Sequence, residues 1–197
     1  LKLQRPFPMR RGGELPSVEV AYETWGDPAA RHDNAIMIFT GLSPSAHAAS
    51  STEDPSQGWW EDMIGPGRPI DTRRCFVICI NSLGSPFGST SPISINPMTG
   101  QPYRLTFPVL TVEDMARAGH EVAVALGIKK LAAVIGPSLG GMTVLAYCAL
   151  FPGETRSVVS ISAAARSTPF SIALRSLQRE MIRRGPAWQE GNYTADA

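Results

Sequence analysis

The stretch Gly136-Pro137-Ser138-Leu139-Gly140 decides the fold of this chain. It has the pattern G-x-S-x-G, follows the apolar run Ala132 to Gly136, and precedes a helical pattern that continues to Leu150. In this strand–turn–helix context the serine occupies a sharp turn that raises its hydroxyl above a sheet, and small neighbours let the chain pass. The N–H groups that open the helix can then stabilise negative charge. The pattern predicts Ser138 as a catalytic nucleophile, although the same pentapeptide also arises by chance in glycine-rich turns.

The rest of the chain alternates between strand and helix patterns. Four nearly continuous apolar runs predict strands covered on both faces of a sheet: Ala35 to Thr40, Cys75 to Asn81, Ala132 to Gly136 and Ser157 to Ser162. The alternating run Ser17 to Trp25 predicts a half-buried edge strand. A capping box at Thr111 to Asp114 opens one helix, and Pro169 to Arg184 reads as an amphipathic helix. This order predicts an α/β fold with a mostly parallel sheet.

Two long loops and a change in residue composition after Arg166 indicate how the chain is divided into domains. The loops Gly41 to Asp71 and Ser82 to Leu110 are rich in Gly, Pro, Ser and Asn, and loops of that length are usually functional. After Arg166 the pattern changes to an Arg-rich helix. We therefore assign residues 1–166 to the N-terminal part of a core domain and residues 167–197 to the start of a helical lid.

Composition excludes several classes of function. The 197 residues are 43% hydrophobic and 18% charged, and the net charge of +1 offers no field for nucleic acid or anionic membranes. No apolar run is long enough to span a bilayer, and no signal peptide is evident. Cys75, Cys79 and Cys148 lie in apolar runs typical of reduced cysteines in a cytoplasmic protein. The three histidines lack ligand spacing, so no metal is expected.

The remaining parts of a serine-nucleophile site are only partly present. An oxyanion hole needs the N–H after the nucleophile and one from the loop after an earlier strand, which predicts Leu139 and Leu42. Gly41 could instead be a simple turn residue. The catalytic acid and histidine should follow the serine, yet all three histidines (His32, His47 and His120) precede Ser138. We therefore expect the triad Asp and His beyond Ala197, in a C-terminal part missing from this chain, with His47 as the alternative base.

Longer motifs give a narrower resemblance. They are Val20 to Trp25 (VAYETW), Gly58 to Asp71 (GWWEDMIGPGRPID), Cys79 to Thr90 (CINSLGSPFGST), Ser94 to Tyr103 (SINPMTGQPY), Phe107 to Asp114 (FPVLTVED) and Gly136 to Met142 (GPSLGGM). In these stretches the chain resembles the homoserine O-acyltransferase family, which includes related serine O-acyltransferases and has the α/β-hydrolase fold. The resemblance runs in order along almost the whole chain.

The resemblance implies a reaction and a substrate-binding residue. A serine takes an acyl group from acyl-CoA, a co-substrate rather than a bound cofactor, and passes it to the hydroxyl of an amino acid. It implies that Arg179, on the first lid helix, binds the amino acid, as a guanidinium can grip a carboxylate. On this Arg-rich helix, Arg179 could instead be a surface residue. The resemblance also implies a homodimer formed through the lid.

Two departures point to one branch of the family. Pro137 replaces the glycine usual before the nucleophile in homoserine acetyltransferases, and the loop of Ser43, Pro44, Ser45 and Ala46 replaces the more usual T-G-D-x. Both departures resemble the serine O-succinyltransferase branch, so this loop is predicted to set specificity. We expect succinyl-CoA and L-serine as substrates. Acetyl-CoA or L-homoserine, an esterase of the same fold, and a non-catalytic domain that kept the motif remain the alternatives.

Overall fold

The computed structural model describes residues 1–27 and 33–192, so His32 and the last residues of the assigned lid segment lie outside the described residues. The strands are β1 (Lys2–Leu3), β2 (Phe7–Pro8), β3 (Glu14–Leu15), β4 (Val18–Glu19), β5 (Tyr22–Trp25), β6 (Ala35–Phe39), β7 (Ile64–Gly65), β8 (Ile70–Asp71), β9 (Phe76–Ile80), β10 (Ile95–Asn96), β11 (Gln101–Pro102), β12 (Leu131–Pro137) and β13 (Thr155–Ile161). The helices are α1 (Val112–Ala125), α2 (Leu139–Leu150) and α3 (Pro169–Arg184), with short 3-10 segments at Arg104–Thr106 and Pro186–Gly191.

A mixed, mostly parallel sheet organises these elements. Within the described residues it has five strands in the order β13-β12-β6-β9-β5. The pairs β13–β12, β12–β6 and β6–β9 are parallel, and β5 joins the edge antiparallel to β9. The predicted α/β fold is therefore confirmed. Because the carboxyl ends of parallel strands meet at one edge of a sheet, the loops after β6, β12 and β13 lie close together.

The core lies on both faces of this sheet. On β6, Met37 and Phe39 face the cluster that includes α1 and α2, whereas Ile38 faces a second cluster with Trp25 and Ala48. All five residues of β9 are buried. The prediction that these two runs are covered on both faces is confirmed.

In the part of the chain that the structure describes, the run Ser157 to Ser162 forms strand β13 as predicted but is not covered on both faces. Val158 and Val159 of β13 are 45% and 42% exposed. The physical reason is position: β13 lies at the edge of the described sheet and pairs only with β12 among the described strands. A continuous apolar run indicates a strand, but it does not indicate whether that strand is central.

The run Ser17 to Trp25 forms two strands instead of one. Val18–Glu19 pairs with Lys2–Leu3, and Tyr22–Trp25 forms the edge of the central sheet. Between them the backbone N–H of Val20 donates to the carbonyl of Leu1, and the N–H of Ala21 donates to Ser89 Oγ. The alternating pattern therefore continues while the hydrogen-bonding partners change.

Local sequence signals place the helix ends. Thr111 and Asp114 form a reciprocal capping box that opens α1. Thr168 caps α3 through a bond from the Ser171 N–H to its hydroxyl, and Pro169 occupies the first turn. Both α2 and α3 have the predicted bounds. The apolar side chains of α3 are exposed, in keeping with a helix above the sheet rather than in its core.

Gly140→Ala is expected to lower the free energy of unfolding by about 3 kcal/mol, because a Cβ there overlaps the carbonyl oxygens of Phe39 and Thr40. Urea unfolding of the full-length protein measures the change. Gly41→Ala is the matched control, because the nearest atom to its added Cβ is 3.7 Å away, on Pro44. The control should change stability by about 1 kcal/mol or less. Equal losses in both variants would contradict the close approach.

Candidate active site

Ser138 sits on a strained turn between β12 and α2. Its backbone has φ 53° and ψ −116°, a region that costs a non-glycine residue on the order of 1–3 kcal/mol. The N–H of Ser138 donates to the Ile161 carbonyl over 2.9 Å, and its carbonyl accepts from the Met142 N–H over 3.1 Å. The turn is thus fixed to the end of β13 on one side and to α2 on the other. Ser138 itself is exposed above the sheet.

Three glycines make this turn sterically feasible. A Cβ on Gly136 would overlap the backbone of Gly140, and a Cβ on Gly140 would overlap the carbonyl of Phe39 on the neighbouring strand. A Cβ on Gly141 would lie 2.6 Å from the Cβ of Ala163. The backbones of β12, α2 and the end of β6 therefore cross at contact distance directly beneath Ser138.

The predicted oxyanion donors lie at the same crossing. Leu139 is the first residue of α2, and the first N–H groups of an α-helix have no partner within the helix. Leu42 follows β6 in the loop that begins at Gly41, where an added Cβ would lie 3.8 Å from the Pro137 carbonyl. The Leu42 side chain is 71% exposed, but the predicted donor is its backbone N–H. Both assignments remain predictions.

A cleft of about 530 Å³ opens beside the nucleophile. Its lining includes Ser138 and Met142 from the elbow and Arg175 and Arg179 from α3. The structure therefore brings Arg179 and Ser138 to one cleft. Residues Ser43 to Ala46 do not line it within the described part of the chain.

Sequence reasoning missed other residues of the cleft. Arg166 and Arg175 also line it, and within the described residues neither these two nor Arg179 forms an ion pair. Ser162 lines it too, with φ 50° at the end of β13. Its place after a strand that is parallel to the nucleophile strand was the available signal, because such strand ends carry site residues.

The predicted specificity loop is tied to its surroundings by side chains. The indole Nε1 of Trp59 donates to the Ser45 carbonyl over 3.0 Å, and the His47 N–H donates to Ser45 Oγ over 3.2 Å. Ala46 is buried. Farther along, the Glu61 carboxylate accepts from the Ser50 N–H at 2.7 Å. Hydrogen bonds from Ser50 first, and from Gly58, lower the pKa of Glu61, so this acceptor is ionised at neutral pH.

Neither described histidine contacts Ser138. His47 bonds Glu23 and Ser56, and His120 stacks on Phe151 with its Nε2 3.0 Å from Glu154 Oε2. His120 therefore packs α1 against the end of α2. No contact in the structure places His47 in the role of general base.

The described residues offer no obvious metal site or membrane span. No group of His, Cys, Asp and Glu among residues 1–27 and 33–192 could hold a metal ion. No helix in those ranges has the length and apolar character needed to cross a bilayer. All three cysteines are free thiols, and burial strongly raises the pKa of Cys79.

Comparison with known proteins places this geometry in a family. Residues 34–197 match the alpha/beta hydrolase fold family. The chain is 64% identical to a serine O-succinyltransferase of Litchfieldella anticariensis, covering 98% of this chain and 53% of that protein. It is 60% identical to a serine O-succinyltransferase of Stenotrophomonas maltophilia, covering 99% of this chain and 53% of that protein. The chain spans about half the length of the curated relatives it matches.

Solved structures show the same architecture. A homoserine O-acetyltransferase from Bacillus anthracis superposes with a TM-score of 0.90 at 33% identity, covering 99% of this chain and 54% of that one. Esterase E22 superposes with a TM-score of 0.89 at 34% identity, covering 100% of this chain and 55% of that one. The resemblance found in the sequence motifs is confirmed, and the chain belongs to the α/β-hydrolase fold family.

Proposed function

We propose that this chain is the nucleophile-bearing part of an O-acyltransferase that moves a succinyl group from succinyl-CoA to the side-chain hydroxyl of L-serine. The observation that carries the proposal is the pairing of an exposed, strained Ser138 with Arg179 in one cleft. The relatives named serine O-succinyltransferase supply the substrate class.

The first half-reaction follows from the elbow. Ser138 Oγ attacks the thioester carbonyl, and the resulting oxyanion lies against the N–H groups of Leu139 and Leu42. The N-terminus of α2 adds a favourable dipole at the same place. When the tetrahedral intermediate collapses, the C–S bond breaks, free CoA leaves, and the succinyl group remains as an ester on Ser138.

In the second half-reaction the acyl group leaves Ser138 and is transferred to a new nucleophile, the acceptor hydroxyl. The hydroxyl of L-serine attacks the acyl-enzyme carbonyl, and the ester bond to Ser138 breaks as O-succinylserine leaves. Proton transfer in both halves requires a general base. The resemblance to the homoserine O-acyltransferase family implies a histidine, oriented by an aspartate, in this role, and among the described histidines neither His47 nor His120 contacts Ser138.

The charge of the cleft favours anionic substrates. Within the described residues, Arg166, Arg175 and Arg179 line it without a carboxylate partner. Both proposed substrates carry carboxylates, one on the amino acid and one at the far end of the succinyl group. Arg179 is proposed to bind the amino-acid carboxylate through its planar guanidinium.

We propose that the protein is a cytoplasmic homodimer in which the lid segments of the two subunits contact each other. Support for the dimer comes from α3, where Phe170, Leu177 and Met181 are 77%, 59% and 67% exposed. Apolar surface of this kind typically marks a contact with another protein surface. The free thiols agree with a reducing compartment.

An esterase is the rival from a different class, because the solved structure of esterase E22 shares the fold at comparable identity. We expect the full-length protein to release CoA from succinyl-CoA at a rate that rises at least about tenfold when L-serine is added. Thiol release measured with L-serine, L-homoserine or no acceptor separates the functions. Release that does not depend on any amino acid would identify a hydrolase, and preference for L-homoserine would identify the other transferase.

Ser138→Ala in the full-length protein should leave less than about 1% of the acyl-transfer rate, because loss of such a nucleophile typically costs on the order of a million-fold. Its free energy of unfolding should change by less than about 1 kcal/mol. Ser157→Ala, on β13 and outside the cleft, is the control and should retain full activity. Substantial activity in Ser138→Ala would refute the assignment.

Arg179→Lys should raise the KM for the amino acid about tenfold or more while the rate of acyl-enzyme formation stays the same. Lysine keeps the charge but loses the planar fork that fits a carboxylate. Arg183→Lys is the matched control, since Arg183 lies on the same helix, pairs with Glu180 and does not line the cleft. Slower acylation with unchanged amino-acid KM would show that Arg179 acts on the donor instead.

A further inference from the structure

His47 forms an unusual bridge between the specificity loop and the central sheet. Its Nδ1 lies 2.9 Å from Glu23 Oε2 on β5, and its Nε2 lies 2.9 Å from the Ser56 carbonyl oxygen. The ring is only 15% exposed. His47 therefore connects two parts of the loop after β6, at residues 47 and 56, to the edge strand β5.

The chemistry of these contacts fixes the protonation state of the ring. A carboxylate and a carbonyl are both acceptors, so each ring nitrogen must donate. A neutral imidazole has one N–H and can satisfy only one of them, whereas the imidazolium satisfies both. Ser56 Oγ, 3.1 Å from Nε2, donates its own hydrogen to Asp54 Oδ1 and thus also presents a lone pair to the ring.

The charges around the ring favour the same state. Glu23 faces it from β5, and Asp54 Oδ2 faces it from the loop, 3.7 Å from Nδ1. The bond to the Ser56 carbonyl first, and the bond to the Glu23 carboxylate second, raise the pKa of His47 above its ordinary value. Partial burial opposes this effect but does not reverse it.

The segment next to His47 is the loop of Ser43 to Ala46, which the sequence predicts to set specificity. Within the described residues it does not line the cleft itself but directly follows the predicted oxyanion donor Leu42. The His47 N–H bonds Ser45 Oγ, and the His47 carbonyl accepts from the Trp59 N–H over 3.4 Å. Trp59 in turn bonds the Ser45 carbonyl through its indole. At the other end of the segment, Gly41 lies two residues after Phe39, the last residue of strand β6. The conformation of residues 43–46 therefore depends on strand β6 at one end and on the His47 bridge at the other.

We infer that protonated His47 is a positioning residue, which anchors the Ser43–Ala46 loop to Glu23 on β5 and thereby sets how the acceptor amino acid is selected. The anchoring part rests on the contacts alone. The selection part rests on the proposed function of the same site.

The anchor has a defined dependence on pH. Because the folded protein holds His47 with a raised pKa, the anchor is complete below the ordinary histidine value of about 6.5. It weakens as pH rises through the folded pKa, where the ring loses one of its two donors. Acceptor selection should weaken over the same alkaline range, whereas attack of Ser138 on the donor should not follow that transition.

A substrate-free experiment tests the anchor. Nitrogen-15 NMR of the full-length protein should show both His47 ring nitrogens protonated at about pH 5.5, with a titration midpoint above the ordinary histidine value of about 6.5. Glu23→Gln should lower that midpoint, and His47→Gln should speed hydrogen exchange at the Trp59 indole at least about tenfold, since its Ser45 partner loses support. A titration midpoint at or below about 6.5, or an unchanged indole exchange rate, would overturn the anchor.

A kinetic experiment tests selection. His47→Gln should raise the KM for the acceptor about tenfold and reduce discrimination between L-serine and L-homoserine, with acyl-enzyme formation changed less than about twofold. His120→Gln, which removes a histidine–carboxylate contact elsewhere, should leave both quantities unchanged. Loss of the acylation step in His47→Gln, or unchanged acceptor selection, would overturn the positioning role. If wild type uses no amino acid at all, the proposed function fails while the NMR result still decides the anchor.

Discussion

The close crossing of three backbone segments beneath Ser138 is the constraint on which the site depends. β12 must turn sharply into α2 while α2 passes against the end of β6, and Gly136 and Gly140 leave room for that contact. The same crossing holds Ser138 at φ 53° and exposes it. Strain at one residue is stabilised by the bonds on either side of it, from Ser138 to Ile161 and from Met142 to Ser138. The exposed and strained position of Ser138 thus results from ordinary packing of strands and a helix.

The crossing also explains how remote parts of the sequence reach one site. Because β6, β12 and β13 are parallel neighbours, their carboxyl ends deliver Leu42, Ser138 and Ser162 to the same edge of the sheet. α3 then contributes Arg175 and Arg179 from above that edge. In the proposed function the elbow provides the nucleophile and its backbone donors, and the arginines of α3 bind the anionic substrates. In this arrangement the buried residues of the sheet contribute to stability, whereas the proposed specificity depends on residues above the sheet edge.

Local signals in the sequence were sufficient to predict the main helices and the strained turn that holds Ser138. The bounds of α2 and α3 follow from Ser138 and from the Thr168–Pro169 start, because caps and turns are determined by a few neighbouring residues.

The exposure of Val158 was not predictable, since it depends on what lies beside β13 in space. The contact of His47 with Glu23 joins residues 24 positions apart, and no pattern of residue types indicates it. Arg166 was missed for a similar reason, because only the folded chain shows that it borders the cleft.

The central claim is that Ser138 carries the acyl group between two substrates. Mass spectrometry of the full-length protein after brief mixing with succinyl-CoA, in the absence of any acceptor, tests it most directly. We expect one succinyl group, located on the peptide that contains Ser138, and its rapid removal when L-serine is added. A succinyl group on another residue, or one on Ser138 that water removes as fast as L-serine does, would contradict this role of Ser138.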